Sequence, residues 1–343
     1  MKYRFFTKIF IIISLVFITI SATLNYIVNP YSIFNHQIFS SFFKVKQNTV
    51  SSRMTTFYAV LHKNPKNIVM GSSRAGLLPL GSIKKYLSND IYSLAMQGSN
   101  IEEQTQYLKY MINTQNLKTI IWSLDFYSFN PDLKNDSSFS YERVNNSSFI
   151  KNDYKIALFS FQSTKNSLKT IIDNLQLKKE VQKNTKHEKP ISYLDTINNL
   201  SKEEIDTRTN IQLHYYPNKF LHSKNFKNPN SIDKNLKKFK YIVNLCSKKH
   251  IKLYIYTSPV SKSFLNLYSN LKLDKTFIYW KEKLVSIHSY TDFCTSNTIT
   301  NNPYNFMDGS HIKPMFSKQI FAKIFHDKTI DVPSGFSIYE ENK

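Results

Sequence analysis

Cysteine is nearly absent from this chain. Cys246 and Cys294 are the only two in 343 residues. They form no CxxC pair and join no Cys/His cluster, which argues against a structural zinc site. Two pairings of fact stay open for them. An oxidising compartment would permit a disulfide, and Cys246, in "YIVNLCSKKH", also suits the apolar face of a helix as a small buried hydrophobe. GxGxxG is missing, which removes the dinucleotide fingerprint. Gly71 and Gly76 have the glycine spacing of a P-loop, but Leu77 and Leu78 stand where that loop needs Lys and Ser or Thr.

Acid is scarce as well. Against 46 Lys and Arg there are 24 Asp and Glu, a net charge of +22. Such an excess suits anionic partners. A generally basic solvated surface accounts for it with no specific site. Long apolar runs are absent too, except at the N-terminus. There "MKYRFFTKIFIIISLVFITISATLNYIV" places Lys2, Arg4 and Lys8 before an uncharged run from Ile9 to Val28. That is about the length of a bilayer-spanning helix. A cleavable signal peptide shares the pattern, but Ile20, two places before Ala22, is too large for a cleavage site, and the reading favours a retained anchor. Basic residues ahead of the span put the N-terminus in the cytoplasm. The rest of the chain is then extracytoplasmic, in the periplasm or at the cell surface, on a single-pass plasma-membrane protein. That compartment holds no DNA, so no nucleic-acid partner is expected; anionic membrane or wall polymer fits better.

What remains is rich in core-forming residues, 41% hydrophobic and 15% aromatic, which excludes a disordered chain. After the anchor, residues 54–66 read as a helix closed by Pro65. Strands are predicted into Gly71, over 91–100, over 118–129, over 251–259 and over 289–293. Helices are predicted over 80–90, 101–116, 231–250, 273–287 and 313–325. Alternating strands and helices imply an α/β fold, a doubly wound parallel sheet covered on both faces. Its functional site belongs at the carboxyl ends of the strands. Between about 130 and 230 the pattern lapses into a polar stretch with one clear helix near "STKNSLKTIIDNLQLKKEV". It reads as an insertion, in a domain running from 31 to 343 behind an anchor at 1–30.

One strand ends unusually, in "NIVMGSSRAG" at 67–76. Gly and Ser make turns, but a serine at such a place is also a candidate nucleophile. It needs a base, and the base needs an orienting acid. "NFMDGSHIKP" at 305–314 offers both: Asp308 lies three residues before His311, a spacing that lets the carboxylate reach one ring nitrogen while the other faces a serine. The α/β-hydrolase elbow is a poorer match, because its nucleophile follows several strands and its acid lies far ahead of the histidine.

The order of these motifs resembles the SGNH (GDSL-like) hydrolase superfamily. The shared elements are "GSS" at 71–73, "MQGSN" at 96–100 and "DGSH" at 308–311. Membrane-anchored members, which include the D-alanyl transfer protein of teichoic acid assembly and the alginate O-acetylation proteins, resemble it further through their single N-terminal span. The resemblance implies an SGNH/flavodoxin-like sheet with Ser73 as nucleophile, His311 as base and Asp308 as orienting acid. It implies an oxyanion hole from the backbone of Ser73 and Gly98, with Asn100 as a further donor. No metal or other cofactor is implied. The implied activity is that of a serine esterase or O-acyltransferase on an acylated cell-surface glycan, with a membrane-bound acyl-donor protein as a further partner. The family's third block, Gly-x-Asn-Asp, has no match after "IIWSLDF"; Asp125 stands near that place and reads as a helix cap or buried partner, and Arg74 as an ion-pair residue. A non-catalytic glycan-binding or assembly protein on the same fold is the alternative.

The anchor reading has a direct check. N-terminal sequencing of the membrane-extracted chain should find residues ahead of 9, and protease added outside spheroplasts should digest the bulk of the chain. A mature N-terminus near residue 23 overturns it.

Overall fold

Asn67–Gly71 (β1) is buried at all five positions, which is why the run shows no polar alternation. In the computed structural model, which describes residues 2–342 apart from 37, 40, 44–45, 48–51, 88, 147 and 185–192, this strand lies inside a six-stranded sheet. The others are Ile91–Ala95 (β2), Thr119–Leu124 (β3), Lys252–Thr257 (β4), Tyr290–Asp292 (β5) and Ile338–Glu340 (β6), in the order β2–β1–β3–β4–β5–β6. The first five run parallel, and β6 is antiparallel to β5. The fold is α/β.

Successive residues of the central strands serve opposite faces. Val69, Ile121 and Tyr256 pack with Ile320, Phe321 and Ile324 of the helix Ser317–Ile324. On the other face the Trp122 ring lies 5.3 Å from that of Phe239, in the helix Asp233–Lys248. Its Nε1 donates to Gln104 Oε1 at 2.8 Å, in the helix Ile101–Thr114. Helices therefore pack on both faces. Cys246 is buried on the sheet-facing side of its helix, and both cysteines are free.

Differences from the sequence reading are local. The helix expected over 80–90 is a 3₁₀ turn at Leu80–Ser82 followed by turns; Gly81 lies in it, and glycine is a poor helix former. The helix expected over 313–325 begins with a 3₁₀ turn at Pro314–Phe316. Lys262–Asn270, a helix, and β6 lie where no element was expected.

By internal packing the chain falls into two compact units. Lys63–Ser137 with Ile191–Lys343 forms one compact unit, which holds the whole sheet. Met1–His62 with Ser138–Pro190 forms the other, and its elements are helical. They include Lys2–Val28, long and apolar enough to cross a membrane over Tyr3–Val28, Phe149–Phe159 and Phe161–Asn184. About half of the polar stretch thus goes with the N-terminal helix. Its contacts include polar ones: Arg143 holds Asp153 through Nε at 2.7 Å and a second nitrogen at 3.0 Å, and Tyr58 donates to the same carboxylate at 3.0 Å.

The turn after β1 rests on one close approach. A Cβ on Gly71 would lie 2.8 Å from Cβ of Ala75 and 2.8 Å from Cβ of Ser123. Both neighbours are fixed in regular structure, so Gly71→Ala is expected to destabilise by about 1–3 kcal/mol, the cost of overpacking. The check is a lower urea midpoint at unchanged slope for the detergent-solubilised chain; an unchanged midpoint contradicts the close approach.

Candidate active site

β1 delivers the chain into the short helix Ser73–Gly76. Ser72 is extended and caps it, its hydroxyl accepting from the Arg74 N–H at 3.3 Å. Ser72 is fully buried and occupied; Ser73, one residue on, is half-buried with its hydroxyl at the surface of the turn. That difference separates the two serines, which are adjacent and chemically identical in the sequence.

The partner loop is held by its own backbone. Phe306 bridges Ile312, and the Met307 N–H donates to the His311 carbonyl at 2.9 Å. Within it Asp308 Oδ1 accepts from the N–H groups of Ser310 and His311, both at 3.0 Å. Those two bonds turn the carboxylate back on the ring of the residue three places on. His311 Nδ1 donates to Asp308 Oδ2 at 2.8 Å, and the Ser310 hydroxyl lies 2.9 Å from the same nitrogen. With the proton fixed on Nδ1, Nε2 is the acceptor, and Ser73 Oγ donates to it at 2.8 Å. Burial alone would raise the Asp308 carboxyl. The His311 ring and the two N–H donors outweigh it and hold the group below its ordinary range.

The structure thus brings Ser73, His311 and Asp308 together. Gly98 lies in the loop after β2, and the Met96 N–H, which donates to the Gly71 carbonyl at 2.8 Å, ties the start of that loop to the end of β1. Gly98 has φ +63°, a left-handed conformation, and a Cβ there would meet the Phe220 ring at 3.4 Å. Asn100 is placed otherwise. Its Oδ1 caps the helix Ile101–Thr114 by accepting from the Glu103 N–H at 2.9 Å. Its Nδ2 donates to the Leu133 carbonyl at 3.0 Å and to Asn135 Oδ1 at 2.8 Å. Both amide hydrogens are used, so the side chain has no donor left for an oxyanion.

No family model matches the chain, and no curated protein matches it.

Four further residues shape the site. Arg74, buried, donates to Asp125 Oδ1 at 2.8 Å and to the Tyr216 hydroxyl at 2.8 Å. Asp125 follows β3 directly and is itself buried. Tyr216 ends a helix, Lys202–Tyr216, in the polar stretch, and no local pattern singles it out. Ser310 lay inside the quoted "DGSH", with its position between acid and base as the only signal.

Chemically, the arrangement can deprotonate a hydroxyl as it attacks. An imidazole in hydrogen-bond reach takes the proton, and the carboxylate behind it keeps the ring in the needed tautomer. The Ser73 N–H, in a helix's first turn, is of the kind that has no acceptor within its helix.

The Asp308 environment predicts a pH dependence. Its folded pKa is depressed, so its contribution to stability is complete above the ordinary carboxylate range and is lost as pH falls through the folded value. Asp308→Asn should remove that segment of the acid limb. Unfolding midpoints of wild type and variant, followed from neutral pH to pH 3, should converge as the pH falls; parallel curves would mean that Asp308 is not held as described.

Proposed function

We propose that this chain is a membrane-anchored serine esterase or O-acyltransferase with an SGNH-like, doubly wound α/β domain. The observation that carries the reading is the 2.8 Å contact of Ser73 Oγ with His311 Nε2, backed by Asp308 at 2.8 Å. The sheet supports it. Strand order changes direction between β1 and β3, and in open α/β sheets such a reversal marks the crevice where ligands bind. Ser73 follows β1 directly.

In this mechanism Ser73 Oγ attacks the carbonyl carbon of an ester while its proton passes to His311 Nε2. The tetrahedral oxyanion is stabilised by the backbone N–H groups of Ser73 and Gly98. Collapse breaks the bond to the alkoxy oxygen, which takes the proton from His311 and departs as an alcohol. The acyl group remains on Ser73. Water or a sugar hydroxyl then attacks the acyl carbon and gives its proton to His311; the bond to Ser73 Oγ breaks, Oγ takes that proton, and the acid or a new ester leaves. Asp308 stabilises the imidazolium in both halves and stays ionised. With Asn100 Nδ2 spent on Leu133 and Asn135 and the Arg74 guanidinium on Asp125 and Tyr216, the oxyanion relies on backbone donors.

By resemblance, the substrate is an acylated cell-surface glycan and a membrane-bound acyl-donor protein is a partner. The apolar helix Tyr3–Val28 supports retention at the plasma membrane, with the sheet unit on the extracytoplasmic side.

A fluorophosphonate probe tests the chemistry on the detergent-solubilised chain. Label is expected on Ser73, and removing Ser73 or His311 should slow labelling on the order of 10³-fold or more. Asp308→Asn should slow it less. Ser73→Ala should leave the unfolding midpoint nearly unchanged. Labelling that survives Ser73→Ala, or a folded wild type that takes no label, overturns the proposal.

A further inference from the structure

We infer that the helical unit touches the membrane twice: through its span, and through a corner at Phe159–Phe161 seated in the headgroup layer where the span emerges. The inference rests on reading Tyr3–Val28 as a retained span. Three observations within that unit carry it.

The first is length. Along the N-terminal helix, residues 3–20 are exposed apart from Ser14, which is half-buried, and the cover begins at Ser21. Eighteen residues at the helical rise cover about 27 Å, close to the roughly 30 Å of a bilayer's hydrocarbon core. Arg4 and Lys8 lie in the first two turns of the bare stretch, where their long stems let the charged ends reach the cytoplasmic headgroups, so the bare stretch fits the bilayer and the covered turns lie beyond it.

The second is attachment. Asn25, fully buried, lies five residues past the bare stretch, or about 7 Å along the axis. Its Nδ2 donates to the Leu158 carbonyl at 2.8 Å and to Thr164 Oγ1 at 3.1 Å, and its Oδ1 accepts from Ser167 at 2.8 Å. These bonds pin the corner between Phe149–Phe159 and Phe161–Asn184 at headgroup height.

The third is the chemistry of that corner. Phe161 is 84% exposed and Phe159 58%. Lys155, four before Phe159, and Lys165, four after Phe161, are also exposed, so each ring shares a helix face with a lysine. Exposed Phe rings beside lysines match the faces by which amphipathic elements bury apolar side chains at the acyl boundary, and the lysines favour anionic phospholipid. The partner is thus the anionic phospholipid interface. A single span leaves a protein free to rotate about the membrane normal, and a second contact off the axis restricts its tilt.

The test uses the full chain in vesicles of phosphatidylethanolamine and phosphatidylglycerol. Phe161→Cys is labelled with an environment-sensitive NBD dye; Cys246 and Cys294 are buried and do not compete. Ile12→Cys reports the span and Lys237→Cys an exposed helix position. At 161 the expected result is blue-shifted emission quenched at least about twofold more by a shallow doxyl lipid than by aqueous iodide, as a ring at the interface requires. Iodide quenching at 161 like that at 237, with 12 quenched only by lipid, overturns the second contact and leaves the span standing. Iodide quenching at both 12 and 161 overturns the span and the inference together. Blue-shifted emission reached by neither quencher means that protein covers the corner, which also overturns it.

Discussion

A buried ion pair fixes the turn on which the site depends. Arg74 follows Ser73, Asp125 follows β3, and their 2.8 Å contact joins the ends of two neighbouring strands. Burial by itself would lower the Arg74 pKa; the Tyr216 hydroxyl that accepts from it and the Asp125 carboxylate more than compensate, and the pKa is raised. The guanidinium also lies 5.5 Å from the Tyr127 ring centroid and 5.6 Å from that of Tyr216, a stacking that arginine supports and lysine does not. Losing either charge would leave the other buried and unpaired, typically a cost of about 3–5 kcal/mol. Evolution toward a looser turn is therefore opposed by stability itself, whatever the serine does.

Strands proved legible where burial is complete. β1 and β3 are buried at every position, so apolar runs mark them directly. Their positions in turn identify Ser73 and Asp125 as strand-end residues. The contact of Asp308 with the His311 ring was legible because a three-residue spacing needs only a local turn. Gly98 was legible as a turn glycine. Asn100 was misjudged on identity: an amide can donate to a ligand or cap a helix, and only the acids Glu102 and Glu103 just after it, in a helix's first turn, hint at the cap. β6 escaped because it is short and two of its three residues are exposed, so it carries no burial pattern.

In the polar stretch the helix Phe161–Asn184 was legible near "STKNSLKTIIDNLQLKKEV", but its buried face was not. Reading by hydrophobic period assumes that buried faces are apolar. In Phe161–Asn184 the buried positions include Ser163, Asn166, Ser167, Thr170 and Asn174, which recur at helical spacing but are polar. They are buried because they are paired: Ser167 with Asn25, and Asn166 with the Tyr31 hydroxyl at 2.7 Å. Small polar side chains also let helices approach closely, as they do in membranes. The periodicity was present in the sequence, in the wrong alphabet.

The serine and histidine are 238 residues apart in the chain. A hydrogen bond between them contributes only about 1 kcal/mol net, too little to hold such a separation closed. The geometry must therefore come from elements that are stable without it. On one side these are the Gly71 approach and the Arg74–Asp125 pair; on the other, Asp308 is fixed by two backbone donors before it meets the ring. Asp308 is thus oriented by its own loop and not by His311, so the loop presents an aligned imidazole independently of the serine. The contact that carries the proposed chemistry is then one the fold does not depend on. That is the arrangement expected where a hydroxyl must be free to leave its hydrogen bond and attack.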